Sequence, residues 1–256
     1  MTDSPARIGI TIGDPAGVGP EITLKALKDP SLRNCRPVVI GRRAVFNPDL
    51  ISHFSACAVA TTRAELESAL AARPDSAVFY DPGFDFPLPE PGRGSEATGA
   101  ESRSYIDHAV ALWKSRLIDA IVTAPVSKSW IEKSGCRFTG HTEYLADAIG
   151  ERNPFMMMFS PEYRGLLATT HVPLASVPAL VTRERLLDTI RTGHRAILAI
   201  DSRAPRIAIT GLDPHCGDDG AIGDFDVTVT RDAVLAAKSE GIDINGPFAA
   251  DTLFIP

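Results

Sequence analysis

The chain is short of the residues that staple or anchor a protein. Four cysteines in 256 residues, Cys35, Cys57, Cys136 and Cys216, form no CxxC pair, which argues against a secreted disulfide framework and against a zinc knuckle. Reduced thiols are the expectation. No apolar run approaches the roughly 20 residues that cross a bilayer. The N-terminal MTDSPARIGITIG has neither the apolar length nor the small-residue cleavage site of a secretory signal. The expected compartment is the cytoplasm, with no membrane partner. Charge of one sign is equally scarce: 26 basic and 32 acidic residues leave a net charge of −6 and no broad basic surface to neutralise a phosphate backbone. Nucleic acid is thus an unfavourable partner, and a small ligand fits better. With no repeat period and no charge block, solenoids and charged tails lack support.

What is present reads as a globular protein: 44% apolar and 23% charged residues at a mean hydropathy of +0.02. The length allows one large domain or two modest ones sharing a cleft. Twenty glycines and twenty prolines fall between apolar runs and act as loop punctuation. Short β-rich runs alternate with amphipathic segments: strands at 7–12, 37–40, 58–61 and 77–80, with helices at 20–28 and 64–72, a βαβ rhythm. Residues 81–99, rich in proline, read as a long loop. Tyr105, Ile106, Ala109, Val110, Leu112 and Trp113 form a stripe at helical spacing within 100–117 and lead into the apolar run IDAIVTAPV. A second set follows, with a helix opening near His141, strands at 155–159 and 166–169, a long helix at 183–200, a strand at 207–211 and a helix near 227–239. Core packing accounts for the Met156, Met157 and Met158 triplet. The expectation is an α/β fold of two lobes, 1–124 and 125–256, with a boundary near Pro125. Such parallel sheets hold ligands beyond the carboxyl ends of their strands.

Three groups of residues carry candidate chemistry. ITIGDPAGVGPEI runs a strand into a glycine-rich turn, and Pro20 and Glu21 suit a helix's first turn, so backbone amides would face an anion or substrate. Ile22 stands where a third glycine would complete GxGxxG, so the Rossmann fingerprint is absent; as spacing alone the loop is equally a structural turn. Among six histidines, His171 ends LLATTH and His215 follows IAITGLDPH. Two imidazoles at strand ends with Asp213 nearby suit a divalent transition metal, or are hydrogen-bonded histidines at loop starts. His53, His108 and His194 lie in helical surroundings and carry no assigned chemistry. Gly140, His141, Thr142 and Glu143 open a helix, where free amides, a hydroxyl and an imidazole donor bind phosphate or carboxylate, or merely cap. Thr123 and Lys128 in TAPVSK follow a buried strand, a place for a cation facing an anionic substrate or for a solvated lysine.

GDPAGVGPEI, TAPVSK, GHTEYLA, ATTHVPL, GLDPHCGDDGAIG and NGPFAADTLF occur in this order across essentially all 256 residues, and the set resembles the PdxA family of 4-hydroxythreonine-4-phosphate dehydrogenases. The resemblance implies a two-lobed α/β/α fold like that of isocitrate and isopropylmalate dehydrogenases, with an interlobe cleft. It also implies a homodimer with a shared active site, and NAD or NADP bound without the Rossmann fingerprint. By position, His171 and His215 would be metal ligands for zinc, magnesium or cobalt. His141 and Thr142 would contact a small phosphorylated hydroxy acid, and Asp251 in AADTLF would be a further substrate-contacting carboxylate. Lys128 joins His171, His215 and Asp251 in the expected catalytic set. The implied reaction is oxidation and decarboxylation of 4-phosphooxy-L-threonine in pyridoxal 5'-phosphate synthesis. Alternatives are oxidation of a phosphorylated four-carbon sugar acid, or a silent anion-binding remnant. Departures are Asp213 and Cys216, where the family commonly reads NPHAGEGG, and a chain that stops at Pro256 before a family block carrying a third metal ligand and strands that return to the first lobe. Cys216 would be a further ligand or a small packed residue.

Overall fold

A computed structural model describes residues 5–72, 76–160 and 163–254; the first four residues of the N-terminal segment read above lie outside them. Two compact units emerge, Met1–Pro154 and Phe155–Pro256. The first contains β1 (Ala6–Thr11), α1 (Gly19–Ala26), β2 (Cys35–Ile40), α2 (Pro48–Ser52), β3 (Ala58–Ala60), α3 (Arg63–Ala72), β4 (Val78–Tyr80), α4 (Glu96–Lys114), β5 (Ala120–Thr123), α5 (Lys128–Lys133) and α6 (His141–Ile149). The second contains β6 (Met156–Phe159), β7 (Arg164–Leu167), α7 (Val177–Leu180), α8 (Arg183–Asp201), β8 (Ile207–Thr210), α9 (Arg231–Ser239) and β9 (Ile244–Phe248). Among the described residues no helix is long and apolar enough to cross a membrane.

The first unit is a parallel sheet of order β3-β4-β2-β1-β5. Val38, Val39 and Ile40 are all fully buried, the continuous apolar pattern of a strand covered on both faces. They pack with Leu24, Phe79, Tyr105 and Leu112 in one core, while Ile106, Ile131 and Phe138 form a smaller one. α4 therefore buries residues in both cores. β5 pairs with β1 in the register Thr11 to Thr123 and, among the described residues, forms the sheet edge, where Val122 is half-exposed. Because β2, β4 and β3 lie on one side of β1 and β5 on the other, the strand order reverses between β1 and β5, and a crevice opens at their carboxyl ends.

Two expectations shift. The proline-rich loop ends at Ser95 instead of Gly99, since Ser95 and Thr98 cap α4 reciprocally, Thr98 N donating to Ser95 Oγ at 3.2 Å and Ser95 N to Thr98 Oγ1 at 2.9 Å. That is a capping box with Thr in place of Glu or Gln. The compact units divide at Pro154, later than the boundary read near Pro125. The reason is packing: Ile131 and Phe138 share a core with Ile106 of α4, and Tyr144 Oη donates to Asp107 Oδ1 at 2.5 Å.

The proline-rich loop is strapped down by a network that no periodicity announces. Arg42 meets the fully buried Glu101 carboxylate with two contacts of 2.9 Å and donates to the carbonyls of Phe86 and Pro87. Burial pushes the Glu101 carboxyl up, against the pull of Tyr105 and Arg42. Burial, then Glu101, raise the Tyr105 hydroxyl, which stays a donor to Glu101 at 2.5 Å. The Phe84 ring closes the loop edge-on against Tyr105 at 4.7 Å.

In the second unit β6 and β7 form an antiparallel hairpin and β8 and β9 a parallel pair. Leu186, Leu187 and Ile190 of α8 pack on Ala233, Val234 and Ala237 of α9 and on Ile244 of β9. None of the methionine triplet is core: Met156 and Met157 are half-buried and Met158 is 57% exposed, because one face of a two-stranded hairpin has no second layer. The hairpin also means that His171 follows an antiparallel strand, whereas His215 follows β8, whose partner is parallel.

Candidate functional site

The glycine-rich turn sits at the β1–β5 crevice. Gly13 has φ +72°, and a Cβ there would stand 2.3 Å from the Pro125 carbonyl, so only glycine lets β1 turn this close to the end of β5. Asp14 N donates to that same carbonyl at 2.9 Å, and Asp14 Oδ1 accepts from Ala16 N at 2.9 Å. Gly92 N donates to Ala16 O at 2.7 Å, which ties the turn to the proline-rich loop. The turn's backbone is thus held by β5 and that loop, and β5 leads directly through TAPVSK into Lys128 at the start of α5.

Lys128 meets the α6 N-terminus. A Cβ on Gly140 would lie 3.6 Å from Lys128 Nζ and 2.8 Å from Glu143 Oε2, so the ammonium and the carboxylate flank the residue that begins α6. Gly140 offers no side chain to cap the helix, and the first turn of α6 carries the positive end of the helix dipole. His141 packs edge-on against Phe138 at 5.5 Å. Its Nε2 is buried and meets no hydrogen-bond partner among the described residues. Burial first, and the Lys128 charge second, hold its pKa below the ordinary histidine value. A buried imidazole nitrogen, an ammonium and a helix N-terminus converge here beside the Glu143 carboxylate; the first three together suit an anion.

That shift has a measurable sign. With the folded pKa below the ordinary 6.5, the unfolded chain takes up the proton first as pH falls, so His141 subtracts stability progressively below about pH 6.5 and nothing above it. Urea unfolding across pH 8 to 5 is expected to show a smaller acid loss in His141→Gln than in the parent chain. An identical pH dependence in both would contradict the burial argument.

The second unit holds the other expected residues. His171 lies past the end of β7 with φ 55°, and His215 lies past the end of β8 with φ 52°. Left-handed backbone at non-glycine residues is uncommon and concentrates at functional sites. His215 Nδ1 is 3.8 Å from Asp251 Oδ2, with both side chains more than half exposed, so the structure does bring Asp251 to His215. Cys216 has its thiol held up by burial first, then by the Asp226 charge, and its Sγ packs against Gly211; it is a packed neutral group. Among the described residues no three His, Cys, Asp or Glu side chains gather closely enough to hold a metal ion. Imidazole nitrogen suits a divalent transition metal, but His215 gathers only Asp251 beside it, so a metal at either histidine would need further ligands. Asp226, beneath the His215 loop, is a functional candidate that sequence reading passed over; its one signal is an acidic residue early in an otherwise apolar amphipathic run.

Comparison with known proteins agrees with this fold. The family model described as pyridoxal phosphate biosynthetic protein PdxA matches residues 33–256. The 4-hydroxythreonine-4-phosphate dehydrogenase of Trichlorobacter lovleyi is 36% identical over 263 residues, covering 99% of this chain and 76% of that protein. The D-threonate 4-phosphate dehydrogenase of Cupriavidus necator is 36% identical over 270 residues, covering 99% and 76%. The crystal structure of a 4-hydroxythreonine-4-phosphate dehydrogenase from Burkholderia phymatum superposes with a TM-score of 0.81 at 32% identity, over 98% of this chain and 76% of that one. With the parallel sheet, the glycine turn and the GHTE helix start in place, and a family model spanning most of its length, the chain belongs to the PdxA family.

Proposed function

We propose that this protein, an oxidoreductase of the type its relatives represent, oxidises and decarboxylates 4-phosphooxy-L-threonine to 3-amino-2-oxopropyl phosphate in pyridoxal 5'-phosphate synthesis. The observation that carries the reading is the anion receptor at the start of α6: buried, unpartnered His141 Nε2 beside Lys128 and uncapped helix amides. A phosphorylated substrate would bring its charge to this cluster, where the Glu143 carboxylate already lies beside Lys128. His141 and Thr142 hold the phosphate, and Lys128 adds a cationic donor beside it. His171 and His215 are the imidazole ligands of a divalent metal, zinc, magnesium or cobalt. Asp251, with its Oδ2 3.8 Å from His215 Nδ1, adds a negative charge beside that ring. When bound, the cation supplies Lewis acidity at the substrate's hydroxyl and NAD or NADP accepts the hydride. Asp251, exposed beside His215, is also placed to contact the substrate. The protein works in the cytoplasm, where its four free cysteines stay reduced, and as a homodimer with a shared active site.

A second reading has its own support, since the D-threonate relative is as similar, at 36% identity, as the threonine-type relative. Its substrate would be a phosphorylated four-carbon sugar acid, bound by the same anion receptor. The purified chain supplied with each phosphorylated acid, each nicotinamide cofactor and a divalent metal separates the two. Faster nicotinamide reduction with 4-phosphooxy-L-threonine is the expected result, and faster reduction with D-threonate 4-phosphate favours the second. Phosphate-ester binding with no reduction under any combination would overturn both and leave a silent anion-binding protein.

A further inference from the structure

The His215 loop rests on a carboxylate that its motif does not contain. Asp226 is completely buried. It accepts from Leu212 N at 2.9 Å, from Asp213 N at 2.8 Å and from Thr230 Oγ1 at 2.6 Å. The two amides immediately precede Pro214 and His215. From there the backbone is left-handed for five residues, with φ of 52° at His215, 56° at Cys216, 76° at Gly217, 47° at Asp218 and 49° at Asp219. Such a run persists only where its surroundings over-determine it. Part of the constraint is local, since Cys216 N donates to Asp213 O at 3.0 Å and Ile222 N to Gly217 O at 2.9 Å.

The rest comes from below. Asp226 opens a π-helical turn, Asp226–Thr230, that runs into α9, and this turn carries the Thr230 hydroxyl back onto the carboxylate. Single π turns recur at functional sites. Gly211 makes the approach possible: a Cβ there would stand 2.8 Å from Asp226 Oδ2 and 2.7 Å from Cys216 Sγ. β8, the loop and α9 thus meet on one carboxylate, whose three donors are all satisfied within the second unit.

We propose that Asp226 is the positioning residue of the His215 loop, holding the Leu212 and Asp213 amides so that the His215 imidazole leaves the backbone at one angle beside Asp251. Asp226 touches neither substrate nor metal; it acts through the loop. The functional half of this inference rests on the reading of His215 as a metal ligand, and the conformational half does not.

The test uses the full chain with Zn²⁺ as the probe. Asp226→Asn keeps the shape and turns one acceptor oxygen into a donor facing an amide N–H; Thr230→Val removes one donor. In Asp226→Asn, hydrogen exchange at the Leu212 and Asp213 amides is expected to speed at least about 10-fold and Zn²⁺ affinity by calorimetry to fall about 10- to 100-fold, the usual loss when a residue supporting a ligand is removed. Thr230→Val moves both readouts the same way by less. Unchanged exchange at the two amides overturns the proposal, and so does a lowered melting midpoint with zinc affinity unmoved. His215→Ala is the reference. If it leaves Zn²⁺ affinity intact, the metal reading fails on its own and amide exchange alone judges Asp226. Should Asp226→Asn not fold, the same readouts on Thr230→Val decide.

Discussion

Alanine at His171 or at His215 is expected to lower divalent metal affinity by more than about 100-fold, since loss of a ligand exceeds the 10- to 100-fold cost of losing a supporting partner. Nicotinamide reduction should fall with it, and chelation of the parent chain should have the same effect. Three neighbours calibrate the result. Asp251→Asn keeps both imidazoles and removes the charge 3.8 Å from His215 Nδ1, so its loss is expected to be about 10-fold. Cys216→Ala is expected to bind metal like the parent, because the thiol is packed against Gly211. His108→Gln should likewise change nothing, since that ring lies within α4 and pairs with the Ser104 carbonyl. Turnover that survives both chelation and the two alanine variants would remove the metal from the proposed reaction.

The second large effect is on stability. Glu101 is fully buried against Arg42 and Tyr105, and Glu101→Ala leaves the buried Arg42 guanidinium with the Phe86 and Pro87 carbonyls but no charge opposite it. Breaking a buried pair from one side costs about 3–5 kcal/mol, enough to unfold a marginal unit. The double variant Arg42→Met with Glu101→Leu should lose much less than the sum of its parts, since no orphaned charge remains. Its residual loss reflects the carbonyls of Phe86 and Pro87, which give up their Arg42 donor. Denaturant unfolding of the two single variants and the double measures the coupling. A double variant as unstable as the sum would mean that the network acts through packing and not through charge.

Both predictions depend on side chains whose sequence neighbourhoods are unlike. His171 and His215 follow readable strand runs, and His215 in particular lies past the carboxyl end of a strand in a parallel pair, where ligand sites form; His171 follows an antiparallel strand. Arg42 and Glu101 belong to no motif, lie far apart in the chain and meet only because α4 crosses the sheet. Asp226 is similar: its carboxylate reads as an ordinary polar position until β8 and α9 are brought together.

Sequence alone determined the alternation of strands and helices, the glycine turn after β1, the helix opening at His141 and the absence of a dinucleotide fingerprint. These follow from local causes, namely hydrophobic period, backbone permissiveness and helix-start chemistry, which act over a few residues. Tertiary structure decided the rest: that β6 and β7 form a hairpin leaving Met158 exposed, that residues 126–154 pack on α4, that Lys128 reaches Gly140, and that a buried carboxylate carries the His215 loop. Each of those depends on which surfaces meet, and the energy of a contact between residues distant in the chain leaves no periodic trace in the order of the amino acids.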